Sequence, residues 1–299
     1  MKRNRIKESI PDRIFNAIIL FIVILINAIY IFPLLFVVFA SVSDPAAVWN
    51  GEVYLYPVGF NLSGYKKVLE SDAVWTGYRN TIYYTVLGTL INLFMTVTAA
   101  YPLSRKDFWA RNKIMAVYTV TMFFGGGMIP TYLLVKNLNM LNTVWAMVIP
   151  NAVSLWNIII TRTYFQSNLP YELWEAAQIE GCSDFRYVRS IVLPLSTPII
   201  AVMALFYAVG HWNSFFNAIM YLSRPNLYPL QIFLREILIN SQVNIEMLGE
   251  DIVSAAERMK IAESIKYCIM VVATLPVLCV YPFLQRYFIK GIMVGALKG

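Results

Sequence analysis

The sequence has little of what a soluble enzyme needs. Only 14% of its 299 residues are charged and 59% are hydrophobic, whereas a typical soluble domain has about 25% charged residues. It contains one histidine, His211, and three cysteines. The His-Glu-x-x-His and Gly-x-Ser-x-Gly motifs are both missing. We therefore expect neither a catalytic site nor a metal site, and the cysteine count gives no disulfide framework.

An internal energy source is missing as well. No Gly-x-x-x-x-Gly-Lys-Ser/Thr motif is present to hold the phosphates of a nucleotide. The apolar segments carry no acidic residues, which proton relays commonly use. An ion-coupled carrier thereby loses support, although sodium sites made of backbone carbonyls would leave no such mark. The chain is predicted to be a passage that an external partner drives.

Long apolar runs dominate what is present. Each approaches or exceeds the ~20 residues that cross a bilayer as a helix, and continuous rather than alternating runs predict helices instead of barrel strands. The first run is far longer than the ~7 to 15 apolar residues of a signal peptide, so we expect an uncleaved span. The predicted fold is all-α and polytopic, with six transmembrane helices. The segments are 14–42, 82–103, 114–135, 143–161, 190–214 and 267–285.

Basic residues indicate the orientation. Fifteen of the 24 lysines and arginines lie in four segments, 1–13, 104–113, 162–189 and 285–299. Because positive charge concentrates on the cytoplasmic side, both termini are predicted to be cytoplasmic. We expect an N-terminal tail over 1–13, a membrane domain over 14–285 and a C-terminal tail over 286–299. The net charge of +7 is then a topology signal, and we expect no nucleic-acid partner.

A short polar helix is predicted over residues 170–181, between two apolar segments. Pro170 suits a first helical turn, Glu172 and Glu175 lie near the positive end of the helix dipole, and Gly181 can adopt the left-handed conformation that ends a helix. Spacing of i, i+3 and i+4 places four residues on one face. These are Leu173, Ala176, Ala177 and Glu180.

The same region carries a signature. Glu175-Ala176-Ala177, three residues, Gly181, nine residues and then Ile191-x-Leu193-Pro194 resembles the EAA signature of permease subunits in binding-protein-dependent ABC importers. At residue frequencies of ~5 to 10%, seven such matches would arise by chance about once in 10⁸ starts or fewer. Glu180-Gly181-Cys182 stands where many members have Asp-Gly-Ala, which is a conservative departure.

Further stretches resemble carbohydrate-importer permeases of the maltose and multiple-sugar class, among them GGGMIPTYLLVKNLNMLNTVWAMVIP, WNSFFNAIMYL and QRYFIKGIMVGALKG. The resemblance implies the second-permease type of a type I ABC importer (MetI-like fold) in a bacterial cytoplasmic membrane, on the branch that handles oligosaccharides. The implied partners are a second homologous permease, two cytoplasmic ATPases, an extracellular sugar-binding protein, an oligosaccharide and membrane lipid. ATP and Mg would be bound by the ATPases, so this chain itself would hold no cofactor.

The resemblance also implies which residues couple the chain to the ATPases. The helix over 170–181 would contact them, and its motion would pass into the fifth span, whose start Pro194 and Pro198 are predicted to bend. The implied coupling residues are Leu173, Glu175, Ala176, Ala177, Glu180, Gly181, Ile191, Leu193 and Pro194.

One cluster is a candidate for sugar contact. Aromatic faces cover the apolar side of a sugar ring, while amides and imidazole meet its hydroxyls. The competing interpretation is an aromatic belt at the membrane interface. The cluster comprises Tyr207, His211, Trp212, Asn213 and Asn217.

The glycine-rich stretch and the function each leave more than one interpretation open. The glycines over 125–127, with Pro130, are expected to let helices pack closely, but they would also be able to break the third span. A stand-alone channel or ion-coupled carrier, a scaffold for an unrelated partner, and a permease of the same class for a non-sugar solute are the competing functions.

Overall fold

The computed structural model describes residues 9–243, 260 and 262–282, and every regular element within them is a helix. The predicted all-α fold is confirmed. The first helix begins at Ile10, inside the N-terminal tail that was predicted to extend to residue 13. Its start is explained by Ser9, whose hydroxyl accepts from the backbone N–H of Asp12, and by Pro11 in the first turn. The predicted C-terminal tail, 286–299, lies outside the described residues.

The first eight helices cover the chain up to residue 168. They are α1 (Ile10–Ser41), α2 (Pro45–Trp49), α3 (Ser63–Leu69), α4 (Asp72–Ser104), α5 (Arg111–Phe123), α6 (Met128–Asn137), α7 (Val144–Val148) and α8 (Leu155–Asn168).

The remaining helices include one π-helix and one 3₁₀-helix. They are α9 (Tyr171–Ile179), α10 (Asp184–Tyr187), the π-helix (Val188–Val192), α11 (Leu193–Leu195), α12 (Thr197–Trp212), α13 (Phe215–Tyr221), the 3₁₀-helix (Pro225–Leu227), α14 (Leu230–Val243) and α15 (Ala262–Pro282).

The described residues divide into two compact units, one within 1–70 and 237–272 and the other within 71–236 and 273–299. In the first unit, the Ser41 and Tyr65 hydroxyls lie 2.7 Å apart, and the Cys268 thiol donates to the Ser41 carbonyl at 3.2 Å. Ala40 and Ser41 are the buried residues of α1. Most of its other side chains therefore remain available to lipid or to another subunit.

In the second unit, α4 packs against both α8 and α12. Its buried stripe repeats every four residues through Gly88, Asn92, Thr96 and Ala100, as expected for one face of a helix. A Cβ on Gly88 would overlap the His211 ring. Gly88 thus permits the close approach of α4 and α12.

Three helices are long and apolar enough to cross a membrane, namely α1, α4 and α15, and the number rises to five if each of two bent pairs forms one span. The chain is thus a multi-pass membrane protein, and the described helices support three to five spans. The predicted fourth segment, 143–161, is not one helix, because α7 ends at Val148 and α8 begins only at Leu155. Pro150 lies in the gap, where it has no N–H to continue a helix.

The third segment is broken at its glycines, and the expectation of close packing there was wrong. α5 and α6 meet at a bend of 111°, and Gly127 has a left-handed φ of 85°. Nothing in the described chain lies within 4 Å of a Cβ placed on Gly125 or Gly127. The glycines permit the break between α5 and α6, since glycine adopts positive φ at low energetic cost.

Candidate functional site

The predicted polar helix is present as α9 and ends as expected. Gly181 has a left-handed φ of 70°, its N–H donates to the Gln178 carbonyl at 2.9 Å, and the Cys182 N–H donates to the Ala177 carbonyl at 2.9 Å. This pair of bonds is a Schellman motif. Pro170 is the N-cap, one position before the first turn.

One face of α9 is exposed, and it differs from the predicted face in one residue. Leu173, Ala176 and Glu180 are exposed, but Ala177 is only 6% exposed. Because Trp174 is buried three residues earlier, Ala177 falls on the buried stripe. The outward face instead includes Glu175 and the neighbouring Ile179.

The buried face of α9 rests on aromatic rings and one guanidinium group. Trp174 and Tyr187 make an edge-to-face contact at 5.2 Å between centroids. The Arg105 guanidinium lies 4.4 Å from the Trp174 ring and 5.1 Å from the Tyr171 ring, and Asp107 pairs with its Nε at 3.4 Å. These contacts join α9 to the chain that follows α4.

A short irregular helix connects α9 to α12. Ile191 is half-buried, Pro194 is exposed, and Val192 between them is fully buried. The chain then bends by 81° between Leu195 and Thr197. The predicted effect of the prolines on the start of the fifth span is confirmed.

At the other end of α12 lies a cavity of about 260 Å³. Four of the five predicted sugar-contact residues line it, so the structure brings them together. They are Tyr207, His211, Asn213 and Asn217.

Hydrogen bonds fix the wall of this cavity. The Asn92 amide N–H donates to the Asn151 carbonyl at 2.6 Å, and its oxygen faces His211 Nε2 at 2.6 Å. His211 therefore carries a proton on Nε2, since an amide oxygen only accepts. The hydroxyls of Thr96 and Tyr207 are 2.6 Å apart.

Trp212 does not line this cavity, so the prediction that groups it with the other four was wrong in this respect. Its indole N–H donates to the Ala273 carbonyl at 3.0 Å, and its ring meets Tyr78 edge-to-face at 6.3 Å. Trp212 and His211 are adjacent in a helix and therefore point about 100° apart. Trp212 is a packing residue, 7% exposed.

Comparison with known proteins assigns the family. A family model described as "Binding-protein-dependent transport system inner membrane component" matches residues 8–294. The chain belongs to this family. Its predicted permease fold is thereby confirmed, and membership argues against a stand-alone channel, an ion-coupled carrier or an unrelated scaffold.

Relatives of this permease cover nearly its whole length. It is 41% identical over 274 residues to Protein LplC of Bacillus subtilis strain 168, with 92% of this chain and 91% of that protein covered. It is 38% identical over 288 residues to the polygalacturonan/rhamnogalacturonan transport system permease protein YtcP of the same strain, with coverage of 96% and 99%. The structure of a bacterial ABC transporter involved in the import of the acidic polysaccharide alginate matches with a TM-score of 0.85 and 31% identity, over 95% of this chain and 100% of that chain.

Sequence reasoning missed part of the cavity wall. Asn92 and Asn151 lie inside apolar segments of the permease, and both line the cavity. A polar side chain within a span is itself a signal of function, so Asn92 was accessible to that argument. Phe215 and Phe216 also line the cavity, and only the turn between α12 and α13 places them there.

Proposed function

We propose that this permease forms half of the translocation path of an ATP-driven oligosaccharide importer. Its partners are a second homologous permease, two cytoplasmic ATPases that bind ATP and Mg, and an extracellular sugar-binding protein. Both termini and α9 face the cytoplasm, in agreement with the basic residues. The family supports the importer assignment, and the names of its relatives support a sugar cargo.

The coupling role is supported by the different environments of the two faces of α9. Its inner face is fixed by Trp174 against Tyr187 and Arg105, while Ala176, Ile179 and Glu175 are exposed on its outer face. A helix held on one side and open on the other suits docking by a partner. The chain leads from this helix directly into the 81° bend before α12, so displacement of α9 would be passed to a span.

Coupling is tested by adding bulk to the outer face. Ala176→Trp should abolish binding of the ATPases to the reconstituted permease pair, and with it sugar-stimulated hydrolysis. Gln178→Trp is a matched control, because residue 178 is exposed but lies about 160° around the helix. Normal ATPase binding and uptake in Ala176→Trp would show that α9 is only a connector. Purified permease alone should hydrolyse no ATP.

We further propose that the cargo contains uronic acids. Polygalacturonan is a polymer of galacturonic acid and alginate is described as acidic, and both relatives are more than 30% identical to this chain. The cavity offers amides, an imidazole and aromatic rings, which suit sugar hydroxyls and ring faces. Uptake of a labelled oligosaccharide by the complex should be inhibited by galacturonate oligomers and not by neutral arabino-oligosaccharides. The reverse result would assign a neutral sugar, and inhibition by neither would favour a non-sugar solute.

A further inference from the structure

A second cavity, of about 400 Å³, lies beside α9. Four cationic side chains line it, and among the described residues of its lining none is Asp or Glu. The four are Arg105, Lys106, Arg111 and Arg162. Clustered positive charge without lining carboxylates favours an anionic ligand.

Two buried groups at this cavity lack protein partners. Tyr187 is 1% exposed and lines the cavity, yet its hydroxyl has no hydrogen-bond partner among the described residues. The same holds for Nη2 of Arg105. Because buried polar groups in folded proteins normally have a hydrogen-bond partner, both groups indicate a missing acceptor. The pKa of Arg162 is lowered, mainly by burial and to a smaller extent by the positive charge of Arg111. Arg111 and Arg162 are therefore close enough to repel each other.

An apolar groove of about 760 Å³ shares one lining residue with this cavity. Tyr101 lines both of them. The groove runs along the spanning part of α4, and most of its lining is apolar, with Asp184 and Arg189 as the charged members. Its apolar lining includes Leu93, Phe94, Val97, Pro102, Leu193 and Ile200.

We propose that the cavity binds the phosphate of an anionic phospholipid whose acyl chain lies in the groove. A soluble anion would have no use for the groove, whereas a phospholipid presents charge and hydrocarbon side by side. Basic residues at a membrane boundary attract anionic headgroups. Nearby, Trp109 is 80% exposed with Lys113 over its ring at 5.3 Å, as expected for an interfacial residue. The proposal is independent of the cargo.

Such a lipid would contact the first residues of α9. Pro170 and Tyr171 line the cavity together with the four cations. A bound phosphate would neutralise those cations and accept from Tyr187, so the start of α9 would be tied to the membrane surface. Anionic lipid should therefore increase the order of α9.

The test measures lipids retained by the purified full-length permease. Native mass spectrometry would compare phosphatidylglycerol with phosphatidylcholine of the same acyl chains. The double variant Lys106→Gln/Arg111→Gln should bind phosphatidylglycerol at least tenfold more weakly, with phosphatidylcholine unchanged. Lys66→Gln/Lys67→Gln is the matched control, since it removes two charges from the exposed end of α3. Equal phosphatidylglycerol retention by both doubles would overturn the proposal.

A conservative variant covers the case in which the double variant fails to fold. Tyr187→Phe removes only the unpartnered hydroxyl and should weaken phosphatidylglycerol binding several-fold. Unchanged affinity in a folded Tyr187→Phe variant would contradict the proposed phosphate position. Equal binding of glycerol phosphate would instead indicate a soluble anion, and would also overturn it. The proposal would also be overturned if the double variant failed to bind the ATPases in lipid-free detergent. That result would indicate that these cations pair with carboxylates of the ATPase.

Discussion

The two ends of α12 are stabilised by different chemistry. The docking end, formed by α9 and the chain up to Ser196, is held by aromatic rings and by Arg105 over Trp174 at 4.4 Å. The cavity end adds polar pairs to the packed ring of Trp212, with Asn92 linked to both His211 and Asn151 at 2.6 Å. These ends are about 24 Å apart along α12, at roughly 1.5 Å per residue.

This difference suits the two roles proposed for these ends, ATPase docking and sugar contact. Ring contacts bury a large apolar area, so they hold α9 against the chain beneath it. Hydrogen bonds are directional, so they hold His211 and Tyr207 at fixed positions on the cavity wall. Substitutions should therefore damage coupling at the docking end, and uptake or packing at the cavity end.

The largest effect is expected at Trp212. Trp212→Ala should lower the free energy of unfolding by about 3 to 5 kcal/mol, because a large buried ring is removed. The thermal unfolding of the assembled complex measures this loss. Trp156→Ala removes a ring that is 58% exposed and should shift unfolding little. Equal shifts for the two variants would contradict the packing role of Trp212.

Gly88→Ala should have the second-largest effect on stability. Its new Cβ would overlap the His211 ring, and overpacking of this kind costs about 1 to 3 kcal/mol. Both unfolding temperature and uptake should fall, since the bond between His211 and Asn92 is displaced. Gly210→Ala is the control on the opposing helix for the unfolding temperature, because nothing in the described chain lies within 4 Å of its Cβ. Uptake is not compared for this variant, since Gly210 lines the cavity. A harmless Gly88→Ala would mean that α4 and α12 are less tightly packed.

Gly181→Val acts at the docking end. Left-handed backbone costs a non-glycine residue roughly 1 to 2 kcal/mol, and nothing in the described chain lies within 4 Å of a Cβ on Gly181, so the main expected effect is conformational. Sugar uptake should fall about tenfold while ATP hydrolysis falls less. Gly181→Asn should retain most uptake, because asparagine tolerates positive φ. Equal uptake by the Val and Asn variants would show that the helix end need not be rigid.

The smallest effect is expected for Arg105→Gln. Loss of the cation–π contact with Trp174 should cost about 0.5 to 2 kcal/mol, seen as faster hydrogen exchange of the α9 amides. Lys113→Gln removes an exposed cation–π pair with Trp109 and should leave α9 unchanged. Exchange that is unaffected by Arg105→Gln would assign the rigidity of α9 to Trp174 and Tyr187 alone.

Local chemistry explains which features were predictable. The turn at Gly181 and the bend before Pro198 depend on single residues whose backbone preferences are strong, so both were predicted from the sequence. Ala177 was placed on the wrong face because helical spacing gives which residues share a face, but not which neighbour buries it. The groups that pack against the buried Trp174, namely Arg105 and Tyr187, lie far before α9 or beyond its end in the sequence.

The features that could not be predicted from the sequence depend on tertiary contacts. Trp212 and His211 are consecutive in the sequence. Only the hydrogen bond from Trp212 to Ala273 on α15 shows that Trp212 contacts a different helix from the one that His211 contacts. Three consecutive glycines are compatible with packing and with a break alike, and the 111° bend decides between them. The basic cavity joins Arg105 on the chain after α4 to Arg162 on α8, which no local pattern would have revealed.

The π-helix between α10 and α11 places an extra residue in one turn of the chain that connects α9 to α12. The Leu193 N–H donates to the Val188 carbonyl, five residues back, so this turn holds more residues than an α-turn. If one residue left the turn, everything beyond it would rotate by about 100° and advance about 1.5 Å. If the ATPases displace α9 as proposed, loss of this extra residue from the turn would convert that displacement into a rotation of the span that borders the cavity.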